Sequence, residues 1–332
     1  MSIRRAAVVG AGMAGAAAAQ GLTRAGIEVV VFDKARGVGG RMATRRHDLA
    51  SFDHGAQYFT ARADEFVDQV DSWRERGLAA QWAARVARVD ARGSSFEDPP
   101  ETRFVGVPKM SVLARDLVAG LELHCGDWID AIAPLADGWE LRTRGGARFP
   151  GFDAVILAAP APQALDLLPS QKELEPLARR IAAVEIDPCQ AVMVAFDDSL
   201  QASFDAAFVR ELPIDWVARN ESKPGRAGCE AWVLHATSEW SRQHIDADPE
   251  WVVTQILEAF EKVIGRSLPP ASHRASHRWR YARTRRSLES DAEWVAASGL
   301  GVCGDWLRGN RVEDAFLSGR AIARAILEEE GR

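Results

Sequence analysis

The chain has 332 residues, of which 47% are hydrophobic and 27% charged, with a formal net charge of −6 at pH 7. This composition excludes a disordered chain, because apolar surface is ample to offset the entropy of ordering. The acidic balance argues against a general nucleic-acid binder, and the length suggests two domains or one large α/β unit with an insertion.

Cys125, Cys189, Cys229 and Cys303 are scattered with no CxxC, which suits a reducing cytoplasm and gives neither a zinc site nor a dithiol pair. His273 and His277 are four apart but lack a third ligand, so no metal is expected. No apolar run reaches the roughly 18 residues of a membrane span, and no membrane partner is expected. Ser2 to Arg5 followed by Ala6 to Ala19 imitates a signal peptide. Three glycines at fixed spacing and a later acid argue against that reading, and the expected location is the cytoplasm.

Taken in order, Ala6-Ala7-Val8-Val9 predicts a short buried strand. Gly10-Ala11-Gly12-Met13-Ala14-Gly15 follows, then a small-residue helix from Ala16 to Arg24 and an apolar run, Val29 to Phe32, ending at Asp33. Strand, glycine turn, helix, strand and acid in this order predict a dinucleotide-binding βαβ unit. Gly10 permits the tight turn, Gly12 lets a pyrophosphate approach the backbone, and Gly15 lets the helix pack close to the sheet. The helix N-terminus offers free N–H groups to the phosphates. Asp33 can accept hydrogen bonds from ribose hydroxyls.

Further on, Ser111 to Val118 reads as a helix, Glu122 to Cys125 as a strand, and Trp128 to Ala133 with Trp139 to Thr143 as a hairpin. Asp153 to Ala159 reads as a central strand that turns at Pro160. Glu173 to Val184 and Pro249 to Ile264 predict helices, while Ala191 to Phe196 and Ala231 to His235 alternate at period two and predict an antiparallel sheet. Leu300 to Cys303 predicts a strand ending in Gly304-Asp305, and Arg311-Val312-Glu313-Asp314-Ala315 opens a helix to about Glu328. Arg274, Arg278, Arg280, Arg283, Arg285 and Arg286 crowd a stretch that reads as a solvated loop, with reception of substrate phosphates as the alternative.

The segment Asp33-Lys34 through Gly39-Gly40-Arg41-Met42 resembles the second signature of glutathione-reductase-type flavoproteins, and more closely their amine-oxidase branch. Along the whole chain the resemblance is to the bacterial renalases. It includes Gly55-Ala56-Gln57-Tyr58-Phe59, Asp215-Trp216, Ser222-Lys223-Pro224, Leu234-His235-Ala236, His277-Arg278-Trp279, Tyr281-Ala282-Arg283 and Cys303-Gly304-Asp305-Trp306. The resemblance implies an α/β fold. A discontinuous FAD-binding Rossmann-type domain (1–65, 106–165 and 296–332) is joined to a second α+β substrate domain (66–105 and 166–295) with an antiparallel sheet over the flavin. It implies non-covalent FAD held by the Gly10 to Gly15 turn, Asp33, Lys34, Gly39 to Met42 and Gly55 to Tyr58. Ile129 would cover the adenine. Ala159, Pro160, Gly304, Asp305, Arg311, Val312, Glu313 and Ala315 would complete the cofactor site.

The implied reaction is oxidation of isomeric dihydronicotinamide dinucleotides, with the extra hydride at ring position 2 or 6, to NAD(P)+, with reduction of O2 to hydrogen peroxide. Losing hydride makes the ring aromatic and releases no proton, so a polar pocket poor in acids and bases is expected. Candidate walls are Gln57, Tyr58, Phe59, Trp216, Trp232, His235, Trp279 and Tyr281. Oxidation of a small amine is the alternative, with Lys109 or Lys223 as the lysine near the flavin; a non-catalytic nucleotide-binding protein is the third reading. Two residues depart from the renalase pattern. Lys109 stands in place of a glycine in Pro108-Lys109-Met110-Ser111, and Asp314 in place of a glycine beside Glu313.

Overall fold

The computed structural model describes residues 3–329 and 331. Short apolar runs, buried on both sides, form the four inner strands of a six-stranded sheet. Its order is Glu293–Val295, Leu300–Val302, Ala154–Leu157, Arg5–Val9, Glu28–Asp33 and Glu122–Cys125. All neighbours pair in parallel except the first two strands. This is the architecture expected when strands are buried beneath helices on each face. The helix Met13–Arg24 connects the two central strands, three residues longer at its start than the sequence suggests. Its alanines let the last helix, Val312–Glu329, approach closely: a Cβ added to Gly319 would stand 2.1 Å from Ala14 O. A three-stranded antiparallel sheet (Ile129–Leu135, Gly138–Thr143, Arg148–Phe152) extends the expected hairpin by one strand.

The second layer is a seven-stranded sheet in the order Ala271–Arg286, Glu185–Phe196, Glu230–Ala236, Ile214–Arg219, Ala206–Val209, Val86–Asp90 and Gly93–Phe96. Only Ala206–Val209 and Val86–Asp90 pair in parallel. Period-two alternation divides the sheet into two faces. Val192, Val194, Trp232 and Leu234 pack beneath the helix Pro249–Ile264 with Ile256 and Phe260. Asp248 caps that helix by accepting from the N–H groups of Glu250 and Trp251, and Gly265, at φ 78°, ends it. The opposite face presents Met193, Ala195, Ala231 and Val233 to Ala50 and Phe52.

The arginine-rich stretch is a strand and not a loop. Ala271–Arg286 is sixteen residues long and pairs along Glu185–Phe196. Five of its arginines find carboxylates: Arg274 meets Glu250, Arg278 and Arg280 meet Asp246, Arg283 meets Asp215, and Arg285 meets Glu185. Charged side chains at an exposed sheet edge also discourage pairing with another chain. The helix expected over Glu173–Val184 is shorter, with a 3-10 turn at Lys172–Leu174 followed by Glu175–Ala182. Among the described residues, no helix is long and apolar enough to cross a membrane.

Because Gly319 sits against backbone, Gly319→Val should destabilise the fold by about 1–3 kcal/mol. Gly145→Ala, whose added methyl would meet only Thr143 Oγ1 at 3.7 Å, should change little. Parallel denaturant melts test the contrast, and equal midpoints would refute the close helix contact.

Candidate active site

The glycine turn divides its work as its spacing suggests. Gly10, at φ +114°, donates to Phe32 O at 2.7 Å, and a Cβ on Gly15 would stand 1.9 Å from Gly10 O. Gly12, by contrast, faces open space: a Cβ there meets nothing within 4 Å. No side chain caps the helix that begins at Met13. Its first N–H groups therefore face a free concavity, the arrangement that receives phosphate. Gly40 closes one side of this cradle, 3.2 Å from Gly12 Cα if given a Cβ, and Gly39 packs on Ser111. Asp33 lies at the floor, accepting from Ala11 N at 2.7 Å and Ala35 N at 2.8 Å. Burial raises the pKa of its carboxyl group, and those two N–H bonds oppose the rise.

Lys34 Nζ donates to Gln163 and lies over the exposed ring of Trp128, beside the buried Ile129. Arg41 is committed within the protein. It pairs with Asp305 through both terminal nitrogens and also donates to Ala282 O at 3.1 Å. That clasp joins residues from three distant stretches. Ala159 O accepts from Trp306 Nε1 at 3.0 Å, and Pro160 precedes the helix Ala161–Leu167.

At the start of the last helix, Asp314 folds back to accept from the N–H groups of Asn310 and Arg311. Its charge is thus spent on the helix's own entry, beside Val312 and Ala315. Glu313 is buried and accepts from the N–H groups of Arg62 and Ala63, which pins the start of the helix Asp64–Glu75. Lys109 is half-buried; burial, then Arg46 and Arg115, lower its pKa.

Beneath Gly55-Ala56-Gln57-Tyr58 lies an ion cluster that sequence reasoning missed as a unit. Asp53 is fully buried and accepts from Thr44 Oγ1 at 2.7 Å and from Arg226 Nη2 at 2.6 Å, with Lys223 Nζ 3.6 Å away. Burial acts to raise its pKa, but Lys223 and Arg226 overcome this and hold it below the ordinary value. Lys223 Nζ also lies 3.2 Å from Asn220 Oδ1 and 3.4 Å from Gln57 Oε1. Burial brings its pKa down to about 8, against the pull of Asp53. The available signal was an acid one residue before His54-Gly55, and two cations three apart around Pro224-Gly225.

One row of residues runs straight across the seven-stranded sheet: His277, Ala191, His235, Trp216 and Phe208 are successive cross-strand neighbours. The carbonyl of His54 accepts from His235 Nε2 at 3.0 Å and from Trp279 Nε1 at 2.9 Å. A carbonyl only accepts, so Nε2 of His235 carries the proton. The 3.4 Å approach of Gln57 Nε2 to that nitrogen is then a packing contact. Burial brings His235 down to about 3, so its ring is neutral at physiological pH. Tyr58 packs 5.3 Å from Trp216.

Gln57, Tyr58, Trp216, His235 and Trp279 therefore converge, with the half-buried Tyr281 two residues further along the strand. Trp232 does not join them. Three residues before His235, it points to the opposite face and packs on Phe204 and Phe260. Phe59 also turns away, into an aromatic cluster with Phe66 and Phe104.

Residues 91–327 match the family described as flavin containing amine oxidoreductase, and residues 8–71 match an NAD(P)-binding Rossmann-like domain. The chain belongs to the flavin containing amine oxidoreductase family. Its fold is shared by a protein from Exiguobacterium sp. 255-15 provisionally named protoporphyrinogen oxidase, with a TM-score of 0.78 at 16% identity over 99% of this chain and 100% of that one. It is shared also by a cofactor-binding redesign of putrescine oxidase, with a TM-score of 0.73 at 13% identity over 98% and 99%. The protein is an FAD-dependent oxidoreductase. The open face at Gly12, the uncapped helix start and the Gly39-Gly40 wall fit the diphosphate of FAD.

Two outcomes follow. Asp53→Ala leaves two buried cations without their carboxylate and should cost about 3–5 kcal/mol; an unchanged denaturation midpoint would refute the cluster's role. Cys303 lies in the buried strand region and Leu307 to Asn310 contain no cysteine. Acid precipitation should therefore release all flavin colour into the supernatant, and a yellow pellet would contradict this.

Proposed function

We propose that the protein oxidises isomeric dihydronicotinamide dinucleotides, the renalase-type reaction, with O2 as final electron acceptor. FAD supplies the two-electron acceptor, and hydrogen peroxide is the reduced product. The substrate ring loses hydride from carbon and becomes an aromatic pyridinium, so the protein has to orient the ring and exclude water but need not remove a proton.

The observation that carries this reading is the chemistry of the convergent wall. Its histidine is neutral, and the proton of His235 Nε2 is already given to His54 O. The remaining members are an amide and aromatic rings, which can stack on a planar heterocycle. No group of this wall is poised as a general base near neutral pH.

A second reading, oxidation of a small amine, has one observation in its favour. Lys223 is buried behind Gln57, with its pKa lowered to about 8. Its ammonium is held by Asp53 and Asn220.

The two readings differ in pH dependence. Hydride loss from a dihydropyridine should proceed at nearly constant rate between about pH 5 and 7, because His235 titrates near 3 and Lys223 near 8. An amine must first lose its proton, so its rate should rise about tenfold per pH unit over that range. Anaerobic mixing with borohydride-reduced NAD and with small amines, followed by flavin bleaching, decides between them. Fast bleaching by an amine alone, on the steep profile, would overturn the proposal.

A further inference from the structure

The protein carries an overall negative charge, yet one surface beside the proposed pocket gathers arginines and imidazoles. The hairpin Thr44–Arg46 and Ser51–Asp53 lies against the inner face of the long edge strand Ala271–Arg286. Arg45 is opposite Phe52 in that hairpin, and Phe52 packs 5.7 Å from His273. His47 stacks on His273 at 3.8 Å between ring centres. Two residues beyond Phe52, His54 packs on His277 at 4.8 Å, and His277 packs on Trp279 at 4.3 Å. His273, His277 and Trp279 share one face of the strand, so the row from His273 to His277 spans about 13 Å.

The hairpin's arginines differ from five of those on the long strand. Arg274, Arg278, Arg280, Arg283 and Arg285 each have a carboxylate partner. Arg45 and Arg46 have none among the described residues, and the charged and titratable neighbours of the row are Arg45, His47, His54 and, beyond Arg46, Lys109. Asp48 lies in the exposed hairpin turn, Asp53, between Phe52 and His54, is buried and paired with Arg226 and Lys223, and Glu250 serves Arg274 on the other face of the strand. Burial and the charge of Arg45 lower the pKa of His277; burial, then His47 and Arg45, lower that of His273. Neutral imidazoles so placed offer N–H donors without adding repulsion to the arginine.

We propose that the lane of Arg45, His47, His273 and His277, which leads outward from Trp279, seats the diphosphate of a dinucleotide substrate. The lane begins at the pocket wall itself, because Trp279 and His235 both donate to the carbonyl of His54. A nicotinamide ring against Trp279 would thus direct its ribose and diphosphate toward His277 and Arg45. Arg45 provides the permanent charge, and its fork geometry suits a phosphate diester. The proposal rests on the dihydronicotinamide reading above for the ring, but the diphosphate seat can be tested without it.

The probe is ADP-ribose, which has the diphosphate and lacks nicotinamide, titrated calorimetrically into FAD-loaded protein. Arg45→Ala should weaken binding about tenfold or more, and added salt should narrow the difference. Arg274→Ala, on the opposite face of the same strand, should bind ADP-ribose as the unaltered protein does. Equal affinities for the unaltered protein and Arg45→Ala, or equal losses in both variants, would overturn the lane. A kinetic arm then separates a substrate seat from a site for free phosphates. The preference in kcat/KM for the reduced dinucleotide over the phosphate-free reduced nicotinamide riboside should collapse in Arg45→Ala, and an unchanged preference would refute substrate seating. If neither reduced compound bleaches the flavin, the functional reading fails, and the calorimetry alone decides the diphosphate seat.

Discussion

A carboxylate with no access to water has to be met by positive charge, and Asp53 imposes that requirement on everything around it. Its partners come from the hairpin that contains Thr44 and from the loop that contains Lys223 and Arg226. Arg226 also donates to Gly106 O and Pro224 O, so the same guanidinium closes two loops. Desolvating three charged groups is costly, and replacement by apolar residues would often stabilise such a cluster. What the charges supply here is position. Gln57 is four residues beyond Asp53, and the amide that faces His235 on one side touches Lys223 on the other. The pocket wall is fixed from below by the ion cluster and from the side by the His54 carbonyl.

The clasp of Arg41 with Asp305 does the corresponding work for the other layer. Asp305 follows a strand of the six-stranded sheet, Arg41 lies in the 3-10 turn Gly40–Met42, and Ala282 belongs to the long strand of the second sheet. Asn310 adds a second tie by accepting from Thr284 N and donating to Thr284 O. The long edge strand therefore has two attachments. Its first half lies on the histidine-rich hairpin, and its second half is fastened where the last helix begins. A sixteen-residue strand is unusually long, and its pairing along Glu185–Phe196 carries it to both places.

Much of this was legible in the sequence. The first βαβ unit was readable because each glycine answers a local steric demand, and the paired apolar runs could only be buried strands. The arginine stretch was misread because charge density was weighed above alternation: His273, Ala275, His277, Trp279 and Tyr281 already repeat at period two, the signature of a half-buried strand. The same rule separates Trp232 from His235, since three residues along a strand reverse the face. The Asp53 cluster was not legible as a unit. Its acid and its cations lie more than 160 residues apart, and no local pattern says which buried acid will meet which buried base. The role of Asp314, a departure from the renalase pattern, needed the geometry, because a carboxylate three residues into a helix can turn back to cap its entry.

Neutrality is arranged in this site. His235 is deprived of charge by burial, and its tautomer is fixed by an acceptor that cannot donate. Lys223 retains a partner for its charge yet titrates near 8, because desolvation outweighs the pull of Asp53. A wall of this kind has little use for a reaction whose difficult step is proton removal. It is well matched to one in which a planar ring is held still while two electrons and a hydrogen nucleus leave together. In such a reaction the protein contributes shape, dryness and a fixed donor pattern, and the charge of the substrate's phosphates has to be met elsewhere, at a distance that does not disturb the neutral wall. On the proposed reading, Arg45 of the hairpin stands in that relation to it. Its charge lies along the imidazole row, so the proposed seat would bind an anion without placing a cation where positive charge would develop on the substrate ring.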